Sequence, residues 1–380
     1  MEKKYLFILL AAILLPPQVF AQPSTPVYVD RNGVMRWTDT KKGISLFGVN
    51  YTTPFAHAFR AHEYLGVDHK KAIDADVYHF ARMGLDAYRC HIWDSEISDS
   101  IGNIIPNRHL ETIDYLIYSL KKRGIKSIFT PLKFGENGYP EPNTSTPGFQ
   151  DNYGKDGCLN NPESWPYQER YLVQFLEHVN PYTGISYKDD PDIIAIEINN
   201  EPEHKNAELT HAYLETMIKA IRSTGCRKPI FYNMSHNFHV TEEFLNADLQ
   251  GGSFQWYPSG LVANHEQQGN FLPYVDVYPI PFSDHKKFRN KARMIYEFDA
   301  ADIGRSYIYP AMAKSFRESG FQFATQFAYD PMYIAYANTE YQTHYMNLAF
   351  APQKGLSLMI ASEVFHQLPM YHAPGDYPGN

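Results

Sequence analysis

Eight short apolar runs suited to a sheet recur along this 380-residue chain, with helical segments between them. The runs are Ile44 to Asn50, Leu85 to Trp93, Ile125 to Leu132, a stretch opening at Ile193, Pro229 to Asn233, Gly252 to Tyr257, Ala292 to Phe298 and Phe321 to Ala328. Asp68 to Met83, Asn107 to Arg123, Trp165 to Val179 and Ala207 to Ser223 carry apolar residues at helical spacing, and Leu356 to Leu368 is a last helix. Gly84, Gly124 and Gly225 stand where three of these helices should stop. Parallel strands need a crossover between them, and a helix usually supplies it, so the alternation predicts a parallel sheet covered by helices. Eight repeats is the count that closes such a sheet into a single-domain α/β fold, the (β/α)8 TIM barrel. No glycine-rich phosphate fingerprint follows the first strand, which disfavours an open dinucleotide-binding sheet.

The fourth run, Ile193 to His204, reads IIAIEINNEPEH. Strand side chains alternate, so Ile194, Ile196 and Ile198 should face the helices, and Ala195, Glu197, Asn199 and Glu201 the barrel interior. Pro202 ends ladder pairing and leaves Glu201 at the C-terminal tip. In RMIYEFDAAD the same alternation turns Arg293, Ile295 and Glu297 inward and Met294, Tyr296 and Phe298 outward. Two glutamates then face one another at the mouths of the fourth and seventh strands. One neutral carboxylic acid and one ionised carboxylate across a cleft are what glycosidic bond cleavage requires. Glu197, deeper in the barrel, reads as a hydrogen-bonded structural charge.

Asn200-Glu201-Pro202 at the end of an apolar strand, with Glu297 three strands later, resembles the signature of the clan A retaining glycoside hydrolases, which include families 5 and 2. The resemblance implies Glu201 as acid/base, Glu297 as nucleophile, a covalent glycosyl-enzyme, and carboxyl groups about 5 to 5.5 Å apart. Arg89 in AYRCHIWD resembles the clan's second-strand arginine, which keeps the nucleophile ionised; the alternative is an internal ion pair with Glu197. Asn200 matches the asparagine that binds the sugar 2-hydroxyl. Tyr257 in QWYP resembles the tyrosine on the nucleophile, with Tyr278 as its rival. His91 and Trp93 sit loop-ward on the second strand, within reach of sugar, although a lone histidine is as often scaffold. Trp93 and Trp256 are candidate stacking platforms, although buried tryptophans are the commoner case. Two positions depart from the pattern. Where many members carry a tryptophan after the eighth strand this chain has TQFAYDP, leaving Gln326 or Tyr329 there, and Gln255 replaces a histidine two residues before Tyr257.

Met1 to Ala21 has Lys3 and Lys4, an apolar run to Leu15 and Val19-Phe20-Ala21, the layout of a cleaved secretory signal; Pro16-Pro17 break the run too early for a membrane anchor. The expected organisation is a leader over 1–21, a lead-in hairpin over 22–43 turning at Asp30-Arg31-Asn32-Gly33, a barrel over 44–370 and a tail over 371–380. Secretion or periplasmic export follows. A net charge of −8 without a long basic run argues against nucleic acid or an anionic membrane as partner. Cys90, Cys158 and Cys226 are too scattered for a metal site and too few for a disulfide framework, so they read as small core residues. The 29 Tyr and 24 Phe suit sugar stacking but also a large core. Phe134 to Ser164, Pro258 to Lys291 and Tyr329 to Tyr345 follow strands, where loops build the active face of such a barrel.

No cofactor or metal is expected, and the expected partner is a mannan-, glucan- or galactoside-type carbohydrate. A metal-dependent hydrolase would need carboxylates beside histidines such as His236 and His239. A glycan-binding barrel without catalysis, or a shortened inactive glycosidase, would have no need of both Glu201 and Glu297.

Overall fold

The structure is a computed structural model and describes residues 25–133, 146–235, 237–260, 266–303, 306–337, 346–373 and 375. The expected leader, His236 and parts of the three long loops lie outside the described residues.

Eight parallel strands close into a barrel in chain order. They are β1 (Leu46–Asn50), β2 (Ala87–His91), β3 (Lys126–Thr130), β4 (Ile193–Glu197), β5 (Ile230–Asn233), β6 (Gly251–Trp256), β7 (Ala292–Phe298) and β8 (Phe323–Gln326). Helices lie between consecutive strands, among them His69–Arg82, Arg108–Lys122, Trp165–Glu177 and Ala207–Ser223, with Pro352–Gln367 after β8. Asp68, Asn107 and Asn206 cap three of them through side-chain oxygens on first-turn amides, which fixes where each crossover enters its helix. The helix Ile308–Glu318 between β7 and β8 was not apparent from pattern. It starts without a side-chain cap, and Pro310 in its first turn looks like a breaker although that position tolerates proline.

Two apolar layers hold the barrel. The outer one packs strand residues such as Phe47, Phe129, Ile196, Phe254 and Phe298 against Phe80, Leu116, Phe175, Met217 and Phe316 of the helices. The inner one gathers Leu46, Ala87, Ile128, Ala195, Phe231, Met294 and Phe323. Gly48 is required between β1 and β2, since a Cβ there would stand 1.7 Å from the Ala87 carbonyl oxygen.

The hairpin Val27–Val29/Met35–Trp37 closes the barrel's N-terminal end. Val27 and Met35 join the inner layer. Gln322, just before β8, accepts from Met35 N–H at 2.7 Å and donates to the carbonyls of Met35 and Ile44 at 2.9 and 3.0 Å. With that end plugged, the polar interior opens only toward the C-terminal ends of the strands.

Alternation fails in two strands. In β7, Met294 lies in the inner layer and Ile295 in the outer, the reverse of the expectation. Arg293 donates to the Ser319 carbonyl and covers the Phe288 ring, on the helix side. The pairing of β7 with both neighbours then shifts register before Phe298. This bulge lets Tyr296 and Glu297, adjacent in sequence, both reach the interior. In β4 a shift against β3 brings Ile194 to the inner layer beside Ala195. Regular strand ends at Glu197, four residues short of Glu201.

Candidate active site

The site is built upward from a buried charge. Glu197, at the end of β4, is fully buried and accepts from Thr130 Oγ1 at 2.5 Å, Asn233 Nδ2 at 3.2 Å, the Ser253 hydroxyl and Arg89 Nε at 2.7 Å. Four strands thus converge on one carboxylate. A buried ion stripped of its partner is costly, so this saturation is what allows Glu197 to hold Arg89 in the barrel.

Arg89 is also fully buried and reaches upward. Its Nη1 donates to Glu297 Oε1 at 3.2 Å and its Nη2 to Asn200 Oδ1 at 2.9 Å. Its guanidinium lies 4.5 Å from the centre of the Tyr296 ring. Burial works against its charge, but Glu197 and Glu297 together more than offset that and raise its pKa. The two readings of Arg89 are therefore not exclusive, because one side chain pairs with both glutamates.

Glu297 receives donors on both oxygens. Oε1 has Arg89 and, at 2.9 Å, His91 Nε2; Oε2 accepts from the Tyr257 hydroxyl at 2.9 Å. Burial and the Arg89 charge push the His91 pKa well below the usual range, so the ring is neutral. Its Nε2 also lies beside Arg89 Nη1, and the ring stays uncharged whether it donates to the carboxylate or accepts from the guanidinium. Burial, then the charges of Glu297 and Glu201, raise the Tyr257 pKa, which keeps its phenol a donor. A charged donor on Oε1 and a phenol on Oε2 suit a carboxylate rather than a neutral acid.

Glu201 arrives differently. Asn199 beyond β4 bonds Tyr213 on the helix side, while Asn200 turns in to Arg89, so period-two alternation has already broken. Glu201 itself has φ of 44°, a left-handed conformation that a residue with a Cβ adopts at a cost of about 1 kcal/mol. The loop after it is fastened by Asn237, which donates to the Pro202 carbonyl and accepts from His204 N–H at 3.1 Å, and by His239 on the His204 carbonyl at 2.9 Å. One oxygen of Glu201 accepts from the Tyr296 hydroxyl at 2.7 Å. It is partly exposed, whereas Glu297 is 6 % exposed.

The structure thus brings Arg89, His91, Asn200, Tyr257 and Glu297 into one hydrogen-bonded cluster and leaves Glu201 beside it. Tyr278 is not on the nucleophile position: its hydroxyl donates to the Gln255 carbonyl at 2.8 Å. Trp256 does not reach the cleft; it packs edge-on to Tyr278 at 5.0 Å and against Phe316 at 5.3 Å, under the helices. Trp93 is 2 % exposed, stacked on Phe55 at 5.8 Å with Lys133 Nζ 4.8 Å over its ring, so it forms a wall behind His91 rather than an open platform. Gln326 is fully buried at the end of β8, and the next residue, Phe327, is the one that meets the His91 ring at 6.1 Å. Tyr329 packs in the outer layer against Phe80. Sequence reasoning missed Tyr296, Gln255 as its neighbour, Phe327 and Asn237. A cavity of about 480 Å³ is lined by Asp302, Ser306, Tyr309, Phe350 and Lys354 and by neither Glu201 nor Glu297. Residues 134–145, 261–265 and 338–345 of the loops expected to wall the cleft lie outside the described residues.

Among the described residues no group of three or more His, Cys, Asp or Glu could hold a metal ion, and no helix is long and apolar enough to cross a membrane. Cys158 and Cys226 are buried free thiols.

The (β/α)8 barrel carries one glutamate at the end of β7 and another just beyond β4, and the chain is similar to the clan A, family 5-type glycoside hydrolases. It is 25 % identical over 164 residues to mannan endo-1,4-beta-mannosidase 3 of Oryza sativa subsp. japonica, a match covering 40 % of this chain and 35 % of that one. It superposes on the endo-1,4-beta-mannanase of Rhizomucor miehei with a TM-score of 0.65 at 17 % identity, covering 90 % of this chain and 100 % of that one. The endo-beta-1,4-mannanase of Thermotoga petrophila gives 0.63 at 17 % identity, over 86 % and 78 %. No family model matches the chain. The sequence match spans about a third of the length of the rice relatives, and at these identities the structural likeness speaks for the fold.

Proposed function

We propose that the protein is a retaining glycoside hydrolase that cleaves β-glycosidic bonds of a mannan-type polysaccharide. The observation that carries this is the asymmetry of the two glutamates: Glu297 is buried with Arg89 and Tyr257 donating to its two oxygens and His91 against it, and Glu201 is partly exposed with the Tyr296 phenol on one oxygen. The first environment suits a nucleophile that must stay ionised, the second a group that gains and loses a proton.

In the first step Glu201 gives its proton to the leaving glycosidic oxygen while Glu297 attacks the anomeric carbon. The C–O bond to the leaving sugar breaks as the glycosyl ester forms. Water, deprotonated by Glu201, then opens the ester and returns Glu297 as a carboxylate, with configuration retained. Arg89, His91 and Tyr257 hold Glu297 in line and disperse its charge. Asn200, oriented by Arg89, is placed to bond the 2-hydroxyl as the oxocarbenium ion develops. The mannan assignment draws on the named activities of the rice, Rhizomucor and Thermotoga relatives. With the leader pattern of residues 1–21, the enzyme would act outside the cytoplasm.

The test is sugar release from β-mannan, β-glucan, xylan, galactan and aryl β-glycosides, with the anomer first formed read by proton NMR. Release from mannan with retention, abolished in Glu297→Ala, is expected. Folded protein that binds mannan without cutting it would replace this reading with that of a non-catalytic or inactive barrel.

A further inference from the structure

Tyr296 has no part in the two-glutamate chemistry as such, yet it lies at its centre. The β7 bulge brings it inside the barrel directly before Glu297, although regular alternation would have put the two on opposite faces. Its ring lies against the Arg89 guanidinium, and Asn50 Nδ2 holds its carbonyl at 2.8 Å. From that fixed position its hydroxyl stands 2.7 Å from Glu201 Oε1 and 3.0 Å from the Gln255 side-chain oxygen.

A phenol has one proton and cannot donate to two acceptors at once. The oxygen and nitrogen of a side-chain amide exchange places by a half-turn, and the Tyr296 oxygen, which also meets the Ser235 side chain, has a second lone pair with which to accept. Turning the amide lets Gln255 Nε2–H donate to Tyr296, which donates to Glu201, so that each bond polarises the next. We propose that Tyr296 is a positioning residue for Glu201: backed by the Gln255 amide, its phenol occupies Oε1 and leaves Oε2 to carry the catalytic proton. This rests on the glycosidase reading above.

The other groups that feel the charge of Glu201 are Tyr257 after β6 and His91 on β2; His204 on its own loop turns away to the Tyr232 hydroxyl. Burial, then the charges of Glu201 and Glu297, keep the Tyr296 phenol protonated. Of these groups, Tyr296 is the one seen donating to Glu201.

Two variants test this. Tyr296→Phe keeps the ring on Arg89 and removes the donor; Gln255→Met keeps volume and removes the amide. In a crystal structure of Tyr296→Phe the Glu201 carboxyl should leave the place it holds in wild type, and in Gln255→Met it should shift less. Turnover of mannan should fall by about tenfold in Tyr296→Phe with KM within about twofold, and that of aryl glycosides with acidic leaving groups, which need little protonation, by under about threefold. A Glu201 carboxyl unmoved in Tyr296→Phe, or equal losses on the two classes of substrate, overturns the proposal. Wild-type protein that holds Glu201 as described but releases no sugar would instead count against the glycosidase reading alone.

Discussion

Replacing Glu197 by glutamine changes one atom at the root of the site and should be felt at the top. The carboxylate accepts from Arg89, Thr130, Asn233 and Ser253, every one of them a donor. An amide offers one acceptor oxygen and sets its NH2 against the rest, and Arg89 loses the closer of its two counter-ions, 2.6 Å away against 3.2 Å for Glu297. Breaking a fully buried pair costs about 3 to 5 kcal/mol, and the remaining contact with Glu297 argues for the lower end, about 3 kcal/mol. With an unfolding entropy near 2.1 cal/mol/K per residue, a barrel of this length loses about 4 °C of Tm for that cost. Arg89 should also settle toward Glu297 and release Asn200, so kcat/KM on mannan should fall by about tenfold or more. Calorimetry reads the first effect and initial rates the second. A double-mutant cycle with Arg89→Met separates coupling from packing, since the two losses should be clearly less than additive. A Glu197→Gln protein with unchanged Tm and rate, or strictly additive losses, would refute the idea that Glu197 acts by holding Arg89.

Removing the hydroxyl from Tyr257 takes the phenol donor from Glu297 Oε2; Tyr257→Phe should lower kcat/KM by about tenfold with an unchanged circular dichroism spectrum, whereas Tyr278→Phe should change it by less than about threefold. Trp256→Phe should lower Tm through lost packing with Tyr278 and Phe316 and leave KM for mannan unchanged, and a large rise in KM would return Trp256 to the cleft. Burial pushes the Asp76 carboxyl up to about 7 despite the Tyr51 hydroxyl on it at 2.6 Å, so in this range the folded state holds a proton that the unfolded chain has already released. Its contribution to stability should be complete below about pH 4 and be lost as pH rises toward 7; Asp76→Asn should flatten that decline in Tm.

The barrel was legible because its evidence is distributed: each strand-helix unit repeats the same apolar period, and an error of two residues at a boundary leaves the count of eight intact. The site is concentrated in a few irregular residues, and there the period misleads. Strict alternation turns Glu297 inward together with Arg293 and Ile295, yet those two face the helices, and Glu297 reaches Arg89 only because one extra residue in β7 resets the phase. The same bulge brings in Tyr296, which alternation assigns to the outside. Glu201 likewise lies beyond the last regular residue of β4, turned by a left-handed backbone that nothing in NNEP announces. Trp256 is the opposite case. Adjacent strand residues face apart unless a bulge intervenes, so naming Tyr257 as inward should have sent Trp256 outward, where it lies. Irregular backbone is tolerated where side chains must be gathered from neighbouring positions onto one reacting centre, and the departures in β4 and β7 fall at the two glutamates. Where regularity breaks in this chain is therefore itself a pointer to the candidate site.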